Sequence, residues 1–326
     1  MYSHHGRLWS QIGLGIGSAL LLVVIAGCTS TPMPTQPSQP TAATPIKVLA
    51  VESFLADIAQ NVAGQRLTVE ALMPVGVDPH SFELTPADVR KITDSQVLII
   101  NGAGLEAFLD KLLQSAARDR VVIEAAAGLQ PRTPQPGEHV GEEHEGHEGD
   151  PHFWLDPVSV IKYVENIRDG LSRADPGGAQ LYTAQADAYI AQLQELDRWI
   201  TTQVQRVPED RRLLVTNHES FGYFADRYGF KVVGAIIPST SSAASPSAQE
   251  FARLADAIKE LGVSAIFLET GANPQLAQQL ARETGIRVVS GLYTHSLSEP
   301  HGPAPTYLEM MRYNTRLIVE ALSQGQ

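Results

Sequence analysis

Eight short runs of β-branched and aliphatic residues, each set off from the next by a stretch of helical character, constrain this chain more than any other feature. Four lie at Ile46–Val51, Leu67–Leu72, Gln96–Asn101 and Arg120–Glu124, and four at Leu213–Thr216, Lys231–Ile236, Ala265–Glu269 and Arg287–Ser290. Apolar runs of this length without strict alternation mark strands buried on both faces, as in parallel sheets covered by helices. Between the two sets runs one long amphipathic pattern from about Gly178 to Val207, with Tyr182, Tyr189, Leu193, Leu196, Trp199 or Ile200, and Val204 on a common face. Such a helix would extend some 45 Å. The expected fold class is therefore α/β: two similar lobes, each a parallel sheet flanked by helices, joined by one long rigid helix that restricts hinge opening. Helix starts are marked by an N-cap residue followed by proline at Thr85-Pro86, Asp156-Pro157, Asp175-Pro176, Ser245-Pro246 and Asn273-Pro274. Proline supplies the helical φ there and lacks only a donor that would be unsatisfied anyway.

The N-terminal segment sets the compartment. Arg7 precedes an apolar run from Leu14 to Ala26 that ends in Ile25-Ala26-Gly27-Cys28, the layout of a signal peptide and shorter than the roughly 20 residues of a membrane span. Cys28 is the only cysteine, so neither a disulfide framework nor a thiolate metal site is available. The stretch 28–45 is rich in Thr, Pro and Ser and reads as a tether. The expected organisation is a signal peptide over 1–27, a tether over 28–45, an N-terminal α/β lobe over 46–157 with a His-rich loop at 131–150, connecting helices over 158–210 including the long spine, and a C-terminal lobe over 211–326. Apolar residues make up 43% of the chain, enough for two modest cores, and the formal net charge of −12 argues against nucleic acid as a partner.

Four histidines occupy corresponding places in this plan. His80 follows the second strand and precedes the Thr85-Pro86 helix start, His152 precedes the Asp156-Pro157 start, His218 directly follows a strand, and His295 comes just past the last one. All four thus fall at the edge where α/β sheets bind ligands, two in each lobe. Imidazoles gathered from separate loops are how a fold assembles a metal site from several elements. No His-Glu-x-x-His or His-x-x-Glu-His pattern accompanies them, so a secreted zinc-dependent hydrolase, with Glu219 or Glu269 as base, is the weaker alternative.

The stretches Gly-Val-Asp-Pro-His-Ser-Phe-Glu-Leu-Thr-Pro (76–86), Asp-Pro-His-Phe-Trp-Leu-Asp-Pro (150–157), Asn-His-Glu-Ser-Phe-Gly-Tyr-Phe-Ala-Asp-Arg-Tyr-Gly (217–229) and Pro-Ala-Pro-Thr-Tyr-Leu-Glu-Met-Met-Arg-Tyr-Asn (303–314) resemble the zinc/manganese family of ABC-transporter solute-binding lipoproteins. The resemblance covers nearly the whole mature chain. It implies that His80, His152 and His218 bind metal in a cleft between lobes joined by a rigid helix. It also implies that Ile25-Ala26-Gly27-Cys28 is a lipobox with Cys28 lipidated, and that the partner is an ABC-type membrane permease. The expected protein is extracytoplasmic, membrane-anchored, monomeric and not an enzyme.

Two features lean toward Zn²⁺ over Mn²⁺. The family's third position, a histidine in zinc binders and commonly a glutamate in manganese binders, is His218 here, and imidazole suits Zn²⁺ better than Mn²⁺. The fourth position, usually an aspartate in Thr-Asp-Ser, is occupied by His295 in Thr294-His295-Ser296. That leaves either a site of four imidazoles or three closed by water or a carboxylate such as Glu219 or Glu269. Asp156, four residues after His152, is a further candidate for orienting an imidazole. The acidic stretch from Glu138 to Asp150 carries His139, His144 and His147 and resembles the accessory metal-collecting loop of zinc-specific members. A manganese-binding member of the same family remains the nearer alternative.

Overall fold

The N-terminal lobe is built on β1 (Val48–Ala50), β2 (Val69–Ala71), β3 (Val97–Ile100) and β4 (Val121–Glu124). These strands form one all-parallel sheet in the order β2-β1-β3-β4. The computed structural model describes residues 46–115, 120–133 and 149–323; Cys28, His139, His144 and His147 lie outside the described residues. The strands are connected by α1 (Ser53–Ala63), α2 (Pro86–Asp94) and α3 (Asp110–Ser115), and α4 (Pro157–Ala174) covers β4. The start of α2 follows the expected logic. Thr85 accepts from the Asp88 N–H while the Asp88 carboxylate accepts from the Thr85 N–H at 3.0 Å, with Pro86 in the first turn.

The C-terminal lobe pairs β5 (Leu213–His218) with β6 (Lys231–Ile237), and β7 (Ala265–Glu269) with β8 (Arg287–Leu292), both parallel. Strand β5 lies against β7. The helices here are α6 (Gly222–Tyr228), α7 (Ala248–Leu261), α8 (Gln275–Thr284) and α9 (Tyr307–Ser323).

The long pattern is one helix, α5 (Ala179–Val204), whose 26 residues span about 39 Å. Its buried face is Tyr182, Ala186, Tyr189, Leu193, Leu196, Ile200 and Val204. That face packs on α1 and α4 from one lobe and on α6 and α9 from the other, so a single apolar core runs from Val48 to Leu322. Of the two sequence candidates, Ile200 takes the core position. Trp199 is half-buried, with the Arg312 and Arg316 guanidinium carbons 4.9 and 5.5 Å from its ring centroid.

Three expected helix starts shift, each for a local reason. Helix α7 begins after Ser247, because Ser247 and Glu250 form a reciprocal capping box that Ser245-Pro246 cannot supply. Asp175-Pro176 opens a 3-10 turn ahead of α5, and the Asp175 carboxylate goes to Arg66 and Tyr182 instead. Before α8, Asn273 Oδ1 accepts the Gln275 N–H at 3.0 Å and Pro274 becomes the cap.

Helix α4 approaches the first sheet at Gly170, where a Cβ would fall onto the buried side chain of Ile123. Helix propensity alone favours Gly170→Ala by about 1 kcal/mol, but overpacking a dense core costs about 1–3 kcal/mol. The clash is expected to win. A circular-dichroism melt of metal-free protein should show Gly170→Ala unfolding about 3 °C below wild type; an equal or higher midpoint would show that the sheet yields freely here.

Candidate metal centre

The tripeptide Asp-Pro-His occurs twice, at 78–80 and 150–152, and both copies fold in one way. Asp78 Oδ1 accepts the His80 N–H at 2.9 Å, and Asp150 Oδ1 accepts the His152 N–H at 3.0 Å. Each aspartate thereby caps a turn whose proline fixes the chain just ahead of the imidazole. The first copy lies in the loop after β2, with Asp78 capping the 3-10 turn Pro79–Ser81 that contains His80; the second lies just ahead of the 3-10 turn Phe153–Leu155, with His152 at its cap position. Two contacts fasten the first loop to the other lobe: Gly76 N–H donates to Ser296 Oγ at 2.7 Å, and the Ser242 hydroxyl donates to Asp78 Oδ2. His152 is seated by its neighbours. The Trp154 indole N–H donates to the Thr294 carbonyl at 2.7 Å, and its ring stacks on Phe54 with centroids 4.5 Å apart.

His218 is the last residue of β5, and His295 stands three residues beyond β8. All four histidines converge. From His152 Nε2 the Nε2 atoms of His80, His218 and His295 are 3.3, 3.2 and 3.1 Å away, and one ligand atom from each of the four lies within 4.8 Å of every other. A tetrahedral ion with nitrogen at 2.0–2.1 Å separates its ligands by about 3.3 Å. His152, His218 and His295 are buried and His80 is half-buried.

Carboxyls of the buried Glu269 and the largely covered Asp150 hold the far side of two rings. His152 Nδ1 meets Asp150 Oδ1 at 2.7 Å, and His218 Nδ1 meets Glu269 Oε1 at 2.6 Å. The other Glu269 oxygen accepts from Thr294 Oγ1 at 2.7 Å, and that hydroxyl lies 3.2 Å from His295 Nδ1. One glutamate therefore serves two histidines, the second both through Thr294 and directly, with Glu269 Oε2 3.4 Å from His295 Nδ1. A register shift in the β7–β8 ladder between Leu268 and Glu269 coincides with the glutamate, as expected where a bulge re-aims a side chain. With Nδ1 of His152, His218 and His295 set against oxygen, an Nδ1–H on these rings leaves the Nε2 lone pairs to face one another.

The two lobes set their imidazoles differently. Burial, then the charges of His218, His295 and His80, hold His152 well below the ordinary histidine range. Burial also lowers His218, but the charge and hydrogen bond of Glu269 outweigh it and the net shift is upward. Burial raises Asp150 to about 7, opposed by the His152 N–H and Arg132. Glu269 goes the other way: burial would raise it, yet His218 and His295 hold it well below the usual carboxylate range.

Among the sequence candidates, Glu269 stands against the histidines and Asp156 does not. Asp156 caps α4, accepting from Val158 N–H at 2.9 Å and Ser159 Oγ at 3.0 Å. Asp150, two residues before His152, takes the ring that Asp156 was expected to orient, because the Asp-Pro-His turn brings its carboxyl to Nδ1. Glu219 is half-buried with its N–H on the Ser239 carbonyl, and its charge reaches Asp150. Sequence reasoning missed Asp150 and Thr294; the repeat of Asp-Pro-His was the available signal for the first.

The described ends of the His-rich segment meet beside this site. The Tyr223 hydroxyl accepts from Arg132 N–H at 3.2 Å and donates to the Asp150 carbonyl at 2.7 Å, while Arg132 Nε pairs with Asp226 at 2.8 Å. Gly149, at φ +106°, packs against Pro131 where a Cβ would clash. Toward the other side, a cleft of about 290 Å³ lined by Asp78, Asn217, Ser242, Glu269 and His295 opens between the lobes.

Comparison with known proteins identifies the family. Residues 48–321 match the family model described as ZnuA, zinc-uptake complex component A, periplasmic. The manganese-binding lipoprotein MntA of Halalkalibacterium halodurans is 34% identical over 86% of this chain and 89% of its own length. The iron-binding protein YfeA of Yersinia pestis is 31% identical over 85% of this chain and 86% of its own length. Among solved structures, the periplasmic zinc binding protein TroA from Treponema pallidum superposes with a TM-score of 0.77 at 26% identity, covering 86% of this chain and 100% of that one. The chain belongs to the ZnuA family of extracytoplasmic metal-binding proteins that serve ABC importers, which are solute-binding proteins and not enzymes.

Glu269 gives the site a pH signature. Because Glu269 raises His218, a proton competes for His218 Nε2 from above the ordinary histidine value, and metal affinity falls as pH drops through that range. Glu269→Gln is expected to weaken Zn²⁺ binding about 10–100-fold at pH 7.5. The fall in its affinity between pH 8 and pH 6 should also be shallower than in wild type. Calorimetric titration at both pH values checks this, and parallel pH profiles would separate Glu269 from the protonation of His218.

Proposed function

We propose that this chain captures Zn²⁺ through Nε2 of His80, His152, His218 and His295 and hands it to an ABC-type membrane permease. The observation that carries this reading is the convergence of four imidazole nitrogens, the other three 3.1–3.3 Å from His152 Nε2, with Asp150 and Glu269 on the Nδ1 side of His152 and His218. A ring of neutral nitrogens suits Zn²⁺, whereas Mn²⁺ is better served by oxygen in the coordination shell. Asp150 and Glu269 would offset the ion's charge from behind the ligands. Tethering through a lipidated Cys28, a monomeric state, and weak accessory capture by His139, His144 and His147 complete the proposal; all rest on sequence.

Manganese is the second reading, favoured by the name of the 34% identical relative. Competition titrations of Zn²⁺ and Mn²⁺ at pH 7.5 and 6.0 on wild type, His295→Asp and His295→Ala separate the two. Wild type is expected to prefer Zn²⁺ strongly and to lose affinity toward pH 6.0, where protons compete above all at His218, which Glu269 raises above the ordinary histidine range. His295→Asp should flatten that loss and move preference toward Mn²⁺. Equal wild-type affinity for the two metals would favour manganese. Unchanged Zn²⁺ affinity in His295→Ala would leave three histidines closed by another ligand.

A further inference from the structure

Asp150 serves His152 twice, accepting its N–H and facing its Nδ1, so the aim of that imidazole depends on how the main chain is held at Asp150. Pro151 has no N–H to contribute, which leaves carbonyls as the handles on the chain between the two residues. Each is gripped from a different lobe. The Pro151 carbonyl accepts from Asn101 Nδ2 at 3.2 Å, just past β3, and from the Phe153 N–H at 2.9 Å. The Asp150 carbonyl accepts the Tyr223 hydroxyl at 2.7 Å, and Tyr223 belongs to α6 of the C-terminal lobe.

The repeated Asp-Pro-His tripeptide contains its own comparison. In the first copy the Asp78 carbonyl accepts the Ser81 N–H at 3.3 Å, inside its own turn, and the carboxyl takes the His80 N–H and the Ser242 hydroxyl. In the second the carbonyl reaches out to Tyr223, and Oδ1 of the carboxyl faces the histidine ring at 2.7 Å. Identical tripeptides thus give their carboxyls different partners, and the outside hold on the carbonyl accompanies the difference.

Tyr223 is itself anchored. It is buried, and its ring packs on Phe153 with centroids 4.5 Å apart. Its hydroxyl is used in both directions, donating to Asp150 and accepting the Arg132 N–H at 3.2 Å. Arg132 then reaches Asp226, three residues further along α6, with Nε at 2.8 Å and Nη2 at 3.3 Å from the carboxylate. Gly222 makes room for this strap: a Cβ there would lie 2.6 Å from Cδ, Nε and Nη1 of Arg132.

We propose that Tyr223 is a positioning residue for the metal centre: its hydroxyl, strapped to α6 through Arg132, fixes the main chain at Asp150 and so aims the Asp150 carboxyl at His152 Nδ1. The role rests on the metal-site reading above. The hydroxyl meets main-chain atoms of Arg132 and Asp150, so its effect on an ion passes through Asp150. Without it a covered carbonyl loses its partner and the turn relaxes to find another.

Calorimetric titration at pH 7.5, with whichever of Zn²⁺ and Mn²⁺ wild type binds tighter, compares Tyr223→Phe, Asp150→Ala and the two combined. Tyr223→Phe keeps the ring on Phe153 and is expected to lose about tenfold in affinity. The double variant should bind no more weakly than Asp150→Ala alone, because without the carboxyl the hydroxyl has nothing to aim. Losses that multiply in the double variant, or wild-type affinity in Tyr223→Phe, would overturn the positioning role. Tyr228→Phe removes another hydroxyl from the same helix, one that donates to Asp197 at 3.1 Å, and should bind as wild type does; a loss equal to that of Tyr223→Phe would assign the effect to a loosened α6 and overturn the proposal as well. His152→Ala distinguishes the two readings. Wild-type affinity there would overturn the metal-site assignment along with the proposal, whereas weakened binding there beside wild-type affinity in Tyr223→Phe would overturn the role of Tyr223 alone.

Discussion

Hydrogen bonds from imidazole Nδ1 into buried carboxylates are the constraint on which the metal centre depends. An imidazole free to turn or to change tautomer presents N–H as often as a lone pair, and four of them at 3 Å spacing would repel or bond one another. Asp150 fixes His152 and Glu269 fixes His218, with Thr294 extending Glu269 to His295. The bonds to Asp150 and Glu269 set a carboxyl against imidazole in a largely water-excluded site. The site is thus set before an ion arrives, and binding need not order loose side chains.

Preorganisation of this kind needs lobes that keep their distance. The α5 spine buries its apolar face against both lobes. Further bonds cross nearby: the Tyr307 hydroxyl donates to the Trp154 carbonyl at 2.7 Å, its N–H donates to Asp57 at 2.9 Å, and Ser53 Oγ accepts the Leu297 N–H at 2.9 Å. These contacts join α1, α9 and the loops carrying His152 and His295. By contrast, the loop bearing His80 is held across the cleft by Ser242 and Ser296 hydroxyls at its ends.

Much of this was legible in the sequence because the signals are local. All eight strands were marked by β-branched and aliphatic runs; β1, β5 and β7 are almost wholly buried, which leaves little choice of residue, whereas β2, β4 and β8 are partly exposed. The spine was marked by periodicity, although Trp199 and Ile200 could be told apart only once α9 brought Arg312 and Arg316 over the indole. The four histidines stood out by their places in loops after strands or before helix starts. What escaped was the support behind them. Asp156 has the same composition as Asp150 and a plausible spacing, but only the folded turn shows which carboxyl reaches Nδ1. Glu269 was one of two glutamates in view, and a register shift in the sheet decides between it and Glu219.

X-ray absorption at the zinc edge of protein loaded with one equivalent of Zn²⁺ tests the central claim most directly, because it counts ligands by type. Four nitrogen scatterers at about 2.0–2.1 Å, with the outer-shell pattern of four imidazole rings and no oxygen in the coordination shell, are the predicted result. A shell of mixed nitrogen and oxygen with fewer than three imidazoles would contradict it.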